Sequence, residues 1–64
     1  MFKIEFNTGN AAFHDDVESY DDYVMRYEVT RILKSISKKI ENGYTKGSCI
    51  DINGNKVGTW KLDM

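Results

Sequence analysis

The chain contains no proline, one cysteine and one histidine in 64 residues. With Cys49 alone, no internal disulfide can staple the fold. Cys49 and His14 cannot by themselves complete a four-ligand zinc site. No apolar run exceeds three residues, which predicts neither a membrane span nor a signal peptide. Nor is there an excess of one charge: nine basic and ten acidic side chains leave a net charge of −1, unlike the basic footprint of a nucleic-acid binder. No cofactor motif, metal motif or catalytic constellation is evident, so the expectation is a non-enzymatic protein without cofactor or metal. A free cysteine without an export signal fits the cytoplasm.

What is present reads as one folded domain spanning residues 1–64. Hydrophobic residues make up 41% of the chain and aromatics 12%, enough for a core and too much for a disordered segment. A chain this short buries only about 60% of its unfolded surface, so packing must be good or a second chain must help.

Phe2-Lys3-Ile4-Glu5-Phe6 alternates apolar and polar residues and predicts a half-buried strand. Asn7-Thr8-Gly9-Asn10 ends it with turn chemistry, Gly9 being free to take positive φ. Ala11-Ala12-Phe13 follows as a short docked segment with Phe13 inserted in the core. Residues 20–40 predict a helix. At about 100° per residue, Met25, Val29, Ile32, Leu33, Ile36 and Ile40 gather in one sector and form a core stripe. Carboxylates before the helix and Arg31, Lys34, Lys38 and Lys39 towards its end match the dipole, with Asp16 or Ser19 as N-cap and Gly43 as the terminator.

Residues 44–52 and 55–62 flank Asn53-Gly54, a strong hairpin signal. A two-residue turn pairs Ile50 with Val57 and Asp51 with Lys56; a bulged turn shifts that register by one and swaps faces. Both remain open at this point. The economical fold is α+β, in the order β-α-β-β, with one helix packing a three-stranded antiparallel sheet. One sheet face is then uncovered, so Trp60 and Tyr44 belong either to the core or to a cap over that face, with the core favoured for Trp60.

The functional clue is a second stripe on the helix. Tyr20, Tyr23, Val24 and Tyr27 lie nearly opposite the core stripe and continue into Arg31, Lys34 and Lys38. A one-helix domain does not need it for folding. Tyrosine combines contact area, a polar tip and small entropy loss, which suits a binding face. The expected contact residues are Tyr20, Tyr23, Tyr27 and Arg31, with Asp21 and Asp22 at the edge.

Other constellations have plainer readings. Asp15, Asp16, Glu18, Asp21 and Asp22 could gather a cation or imitate nucleic acid, but capping and solubility account for them. Asp51-Ile52-Asn53-Gly54-Asn55 lacks the glycine and acid spacing of a calcium loop, and reads as a turn whose Asp and Asn side chains bond the backbone. His14 has no nucleophile nearby in sequence, and Cys49 reads as a small apolar strand residue.

Thr8-Gly9-Asn10-Ala11-Ala12-Phe13, Arg31-Ile32-Leu33, Ile40-Glu41-Asn42-Gly43 and the run Asp51-x-Asn53-Gly54-Asn55-x-Val57-Gly58-x-Trp60 together cover about two-thirds of the chain. In that combination the chain resembles a group of short uncharacterised proteins of bacteriophages and mobile elements. Residues 14–28 depart from the group's pattern, being longer and richer in acids and tyrosines. The resemblance implies a setting and no functional residue: a phage or mobile-element protein that binds a host protein or complex, with inhibitors of CRISPR effectors and other host defences as a frequent type. The alternatives are a homo-oligomeric scaffold or ligand-sequestering protein whose tyrosine face is its own partner, and a nucleic-acid-binding accessory protein using the tyrosines with Arg31, Lys34 and Lys38.

Overall fold

Alternation in Phe2–Phe6 produces the first strand, β1, and the computed structural model shows three further elements: helix α1 (Asp21–Glu41) and strands β2 (Lys46–Ile50) and β3 (Lys56–Leu62). The structure describes residues 1–9, 13 and 21–63, the side chains of Asp21 and Asp22 excepted. The N-cap alternatives Asp16 and Ser19, the acidic residues 15–18, His14 and Tyr20 therefore lie outside the described residues.

The expected β-α-β-β order is observed, with one helix on a three-stranded antiparallel sheet. The strand order is β1-β3-β2, so the last strand is central and the first two are edges. Ile4 lies opposite Trp60, and Trp60 opposite Gly47; Phe6 lies opposite Gly58, and Gly58 opposite Cys49. Because side chains alternate along a strand, this register gathers Phe2, Ile4, Phe6, Cys49, Trp60 and Leu62 on one face. Lys3, Glu5, Lys46, Ser48, Thr59 and Lys61 occupy the other, polar face.

Trp60, Phe13, Ile32, Ile36 and Cys49 form the buried core, with Ile4, Phe6, Met25, Val29, Ile40, Val57 and Leu62 packed against them. Each large side chain buried here stabilises by roughly 1.5–3 kcal/mol. Trp60 is thus a core residue, whereas Tyr44 is exposed. Phe13 is docked as expected, with its ring stacked 6.0 Å from that of Phe6.

The core stripe of α1 requires one correction. Leu33 is 42% exposed, while its neighbour Ile32 is buried. Ile32 and Ile36 take the sheet-facing line, which leaves Leu33 at the margin beside β1. In its place the buried set includes a carboxylate, Glu28.

Two left-handed glycines shape the ends of elements. Gly43 (φ 98°) closes α1: Tyr44 N–H donates to Lys39 C=O at 3.0 Å and Gly43 N–H to Ile40 C=O at 3.0 Å. This is the paired closure expected of a glycine C′ residue. Gly54 (φ 87°) completes the hairpin turn, where Gly54 N–H donates to Asp51 C=O at 3.0 Å. By contrast, Gly9 does not take positive φ; the turn after β1 is held by Asn7 Oδ1, which accepts from Gly9 N–H at 2.7 Å.

From Lys46 to Cys49 the ladder keeps the register of the two-residue turn, faces included, and a bulge shifts the pairing by one only at its turn end. Ile50 pairs with Lys56 and Cys49 with Gly58, leaving Val57 as the extra residue. Asp51 organises the loop. It is 3% exposed, and its Oδ1 accepts from Asn53 N–H at 2.9 Å and Asn55 N–H at 2.8 Å.

Candidate interaction surface on the helix

The spacing of Tyr23, Tyr27 and Lys34 along α1 places them along one side of the helix, away from Ile32 and Ile36. Tyr23 is 63% and Tyr27 64% exposed, and Val24 between them is half-buried. Together with Arg26, Thr30 and Arg31 they line an open groove of about 410 Å³. Three of its six lining side chains are cationic: Arg26, Arg31 and Lys34. Thr30 turns its hydroxyl inward, donating to Arg26 C=O at 2.8 Å.

Arg31 has a second engagement, with a carboxylate one turn earlier on α1 and with a carbonyl of β2 that helical spacing did not reveal. Its Nε donates to Glu28 Oε1 at 2.5 Å, its Nη2 to Glu28 Oε2 at 3.3 Å, and Nη2 also to Ile50 C=O at 2.8 Å. Glu28 is 2% exposed and accepts a further bond from Ile52 N–H at 2.8 Å. The pair thus ties the middle of α1 to the end of β2 and the start of the hairpin loop. The Arg31 pKa is raised, first by its hydrogen bond to Glu28; burial opposes this, and the negative charges of Glu28 and Asp51 add to the rise. Arg31 therefore lines the groove while fastening the fold, beside the exposed Tyr23 and Tyr27.

Of the sequence-derived contact residues, the structure brings Tyr23, Tyr27 and Arg31 together on this face. Asp21 and Asp22 begin α1, with side chains outside the described residues, as Tyr20 is altogether. Arg26 was missed, although its place between Tyr23 and Tyr27 on the helix was the available signal. Glu28 was missed as well; a carboxylate three residues after Met25 and four before Ile32 sits within the core stripe, and Arg31 one turn later is its natural counter-charge.

Chemistry elsewhere is sparse. Among the described residues no group of histidine, cysteine, aspartate and glutamate side chains could hold a metal ion, and no helix is long and apolar enough to cross a membrane. Cys49 is buried, and desolvation raises its pKa, partly offset by the Lys39 ammonium; a protonated, enclosed thiol is a poor nucleophile. Comparison of the chain with family models, curated proteins and solved structures finds no match.

Proposed function

We propose that this protein acts by binding another protein through the outward face of α1. Tyr23 and Tyr27 are the anchors, and Arg26 and Lys34 supply positive charge at their sides. The single observation that carries this reading is the pair of tyrosines, each more than 60% exposed, on a helix whose opposite side already satisfies the core. Aromatic and arginine side chains dominate the energetics of protein interfaces. The cations beside them suit a partner surface that carries carboxylates around an apolar centre.

The phage or mobile-element setting makes a host protein the natural partner and inhibition of a host defence, such as a CRISPR effector, the natural purpose. Binding alone suffices for that role; no catalytic step is required, and the cytoplasm of the host cell is where it would act. The test is capture of partners by the wild-type chain and by a chain with Tyr20, Tyr23 and Tyr27 all replaced by serine. Loss of a partner with folding intact supports the reading; full retention removes it.

The three cations of the groove also give substance to a second reading, a nucleic-acid accessory protein whose tyrosines stack on bases. Such binding weakens steeply with salt because counterions are released. A complex that survives nuclease treatment and moderate salt eliminates it.

A further inference from the structure

The outer edge of β1 is self-complementary. The bonds Asn7 N–H to Val57 C=O and Asp63 N–H to Met1 C=O place the odd-numbered residues of β1 in the hydrogen-bonded pairs with β3. In an antiparallel ladder the alternate residues then direct their backbone groups to the other side. Phe2, Ile4 and Phe6 therefore present N–H and C=O groups along an edge that no strand covers among the described residues.

Pair this edge with itself, antiparallel and centred on Ile4. Phe2 then meets Phe6 of the second copy, Ile4 meets Ile4, and Phe6 meets Phe2, so every outward group of the strand is bonded. On the polar face, Lys3 comes opposite Glu5 of the second copy, twice by symmetry. Sliding the pairing by one hydrogen-bonded step in either direction sets Lys3 against Lys3 or Glu5 against Glu5, and leaves outward groups unpaired. Sequence and ladder phase select the same register.

The apolar side agrees. Beside β1 lies a groove of about 310 Å³ lined by Phe2, Ile4, Leu33, Ile36 and Ile40 among others. Phe2 is 48% exposed and Leu33 42%. A two-fold axis perpendicular to the sheet keeps both helices on one face, so the two grooves confront each other across the axis and cover these side chains.

We propose that two copies of this chain join through β1 into a continuous six-stranded sheet, an isologous dimer specified by the Lys3–Glu5 exchange. The proposal is independent of the tyrosine face.

Sedimentation velocity from low micromolar to millimolar concentration tests it, on the wild type, on Lys3→Glu, on Glu5→Lys and on an equimolar mixture of the two variants. Both positions are exposed on the polar face, and circular dichroism checks their folding. The wild type is expected to double its 7.4 kDa mass with concentration. Each single reversal creates two like-charge cross-strand pairs and should weaken association about tenfold or more. The mixture restores opposite charges at both places and should associate as the wild type does. A wild type that stays monomeric throughout overturns the proposal, as does a dimer indifferent to both reversals. Hydrogen exchange on the wild type needs no variant: the amides of Phe2, Ile4 and Phe6 should gain protection with concentration, and equal exchange at all concentrations also overturns it.

Discussion

The backbone N–H of Ile52, in the hairpin loop, donates to the buried carboxylate of Glu28, in the middle of α1, at 2.8 Å. The same carboxylate holds Arg31, which in turn reaches Ile50 C=O. A charged cluster thus fixes the angle between helix and hairpin, and with it the direction in which Tyr23 and Tyr27 face.

Replacing Glu28 by alanine should destabilise the fold by about 2–3 kcal/mol, because it leaves the Ile52 N–H without its acceptor and a partly enclosed guanidinium without its counter-charge. Arg31→Ala should cost a comparable amount by stranding a buried carboxylate. Urea denaturation of both single variants and the double variant checks this. The double variant should lose less than the sum of the singles, since neither partner is then left alone.

Glycines 47 and 58 make a graded pair. A Cβ at Gly58 would lie 1.9 Å from Glu5 C=O and 2.5 Å from Phe6 Cα, both backbone atoms of β1. A Cβ at Gly47 would lie 2.9 Å from Trp60 Nε1, a side-chain atom. Gly58→Ala should therefore cost about 3 kcal/mol and disturb the β1–β3 pairing, while Gly47→Ala costs nearer 1 kcal/mol as the indole shifts. Thermal melts of the two variants should rank in that order.

Asp51 accepts from two loop amides and from the Asn55 side chain. Asp51→Ala should lose about 2 kcal/mol and loosen the hairpin. Asp51→Asn keeps an oxygen acceptor and should retain more of the stability. Exchange rates of the Asn53 and Asn55 amides report the difference directly.

Burial raises the Cys49 pKa. A thiol that holds its proton more tightly when folded gives stability that is complete below the unfolded pKa of about 8.5 and falls as pH rises beyond it. The protein should lose stability across mildly alkaline pH, and Cys49→Ser or Cys49→Ala should flatten that slope. Alkylation of Cys49 should be slow until the chain unfolds.

Much of the architecture was legible in the residues because it rests on short-range patterns. Alternation in Phe2–Phe6, the helical period through Ile32 and Ile36, Gly43 and Asn53-Gly54 each act locally. What the sequence could not decide depends on contacts across the chain. The bulge at Val57 is chosen by the Asp51 loop bonds together with the pairing of Cys49 and Gly58. Leu33 leaves the core because α1 settles with Ile32 and Ile36 over the sheet. Arg31 looked like a surface cation because, although Glu28 lies one turn away on the same helix, the carbonyl of Ile50 meets it only once the hairpin is docked. The tyrosine face was visible as a surplus stripe, and Tyr23 and Tyr27 do stand exposed.

The most direct measurement on the central claim compares capture by the folded wild type with capture by the Tyr20→Ser, Tyr23→Ser, Tyr27→Ser variant, after nuclease treatment and at moderate salt. The account predicts a protein partner held by the wild type and lost by the variant, with both chains showing the same circular dichroism. Retention of every wild-type partner by a folded variant would contradict it.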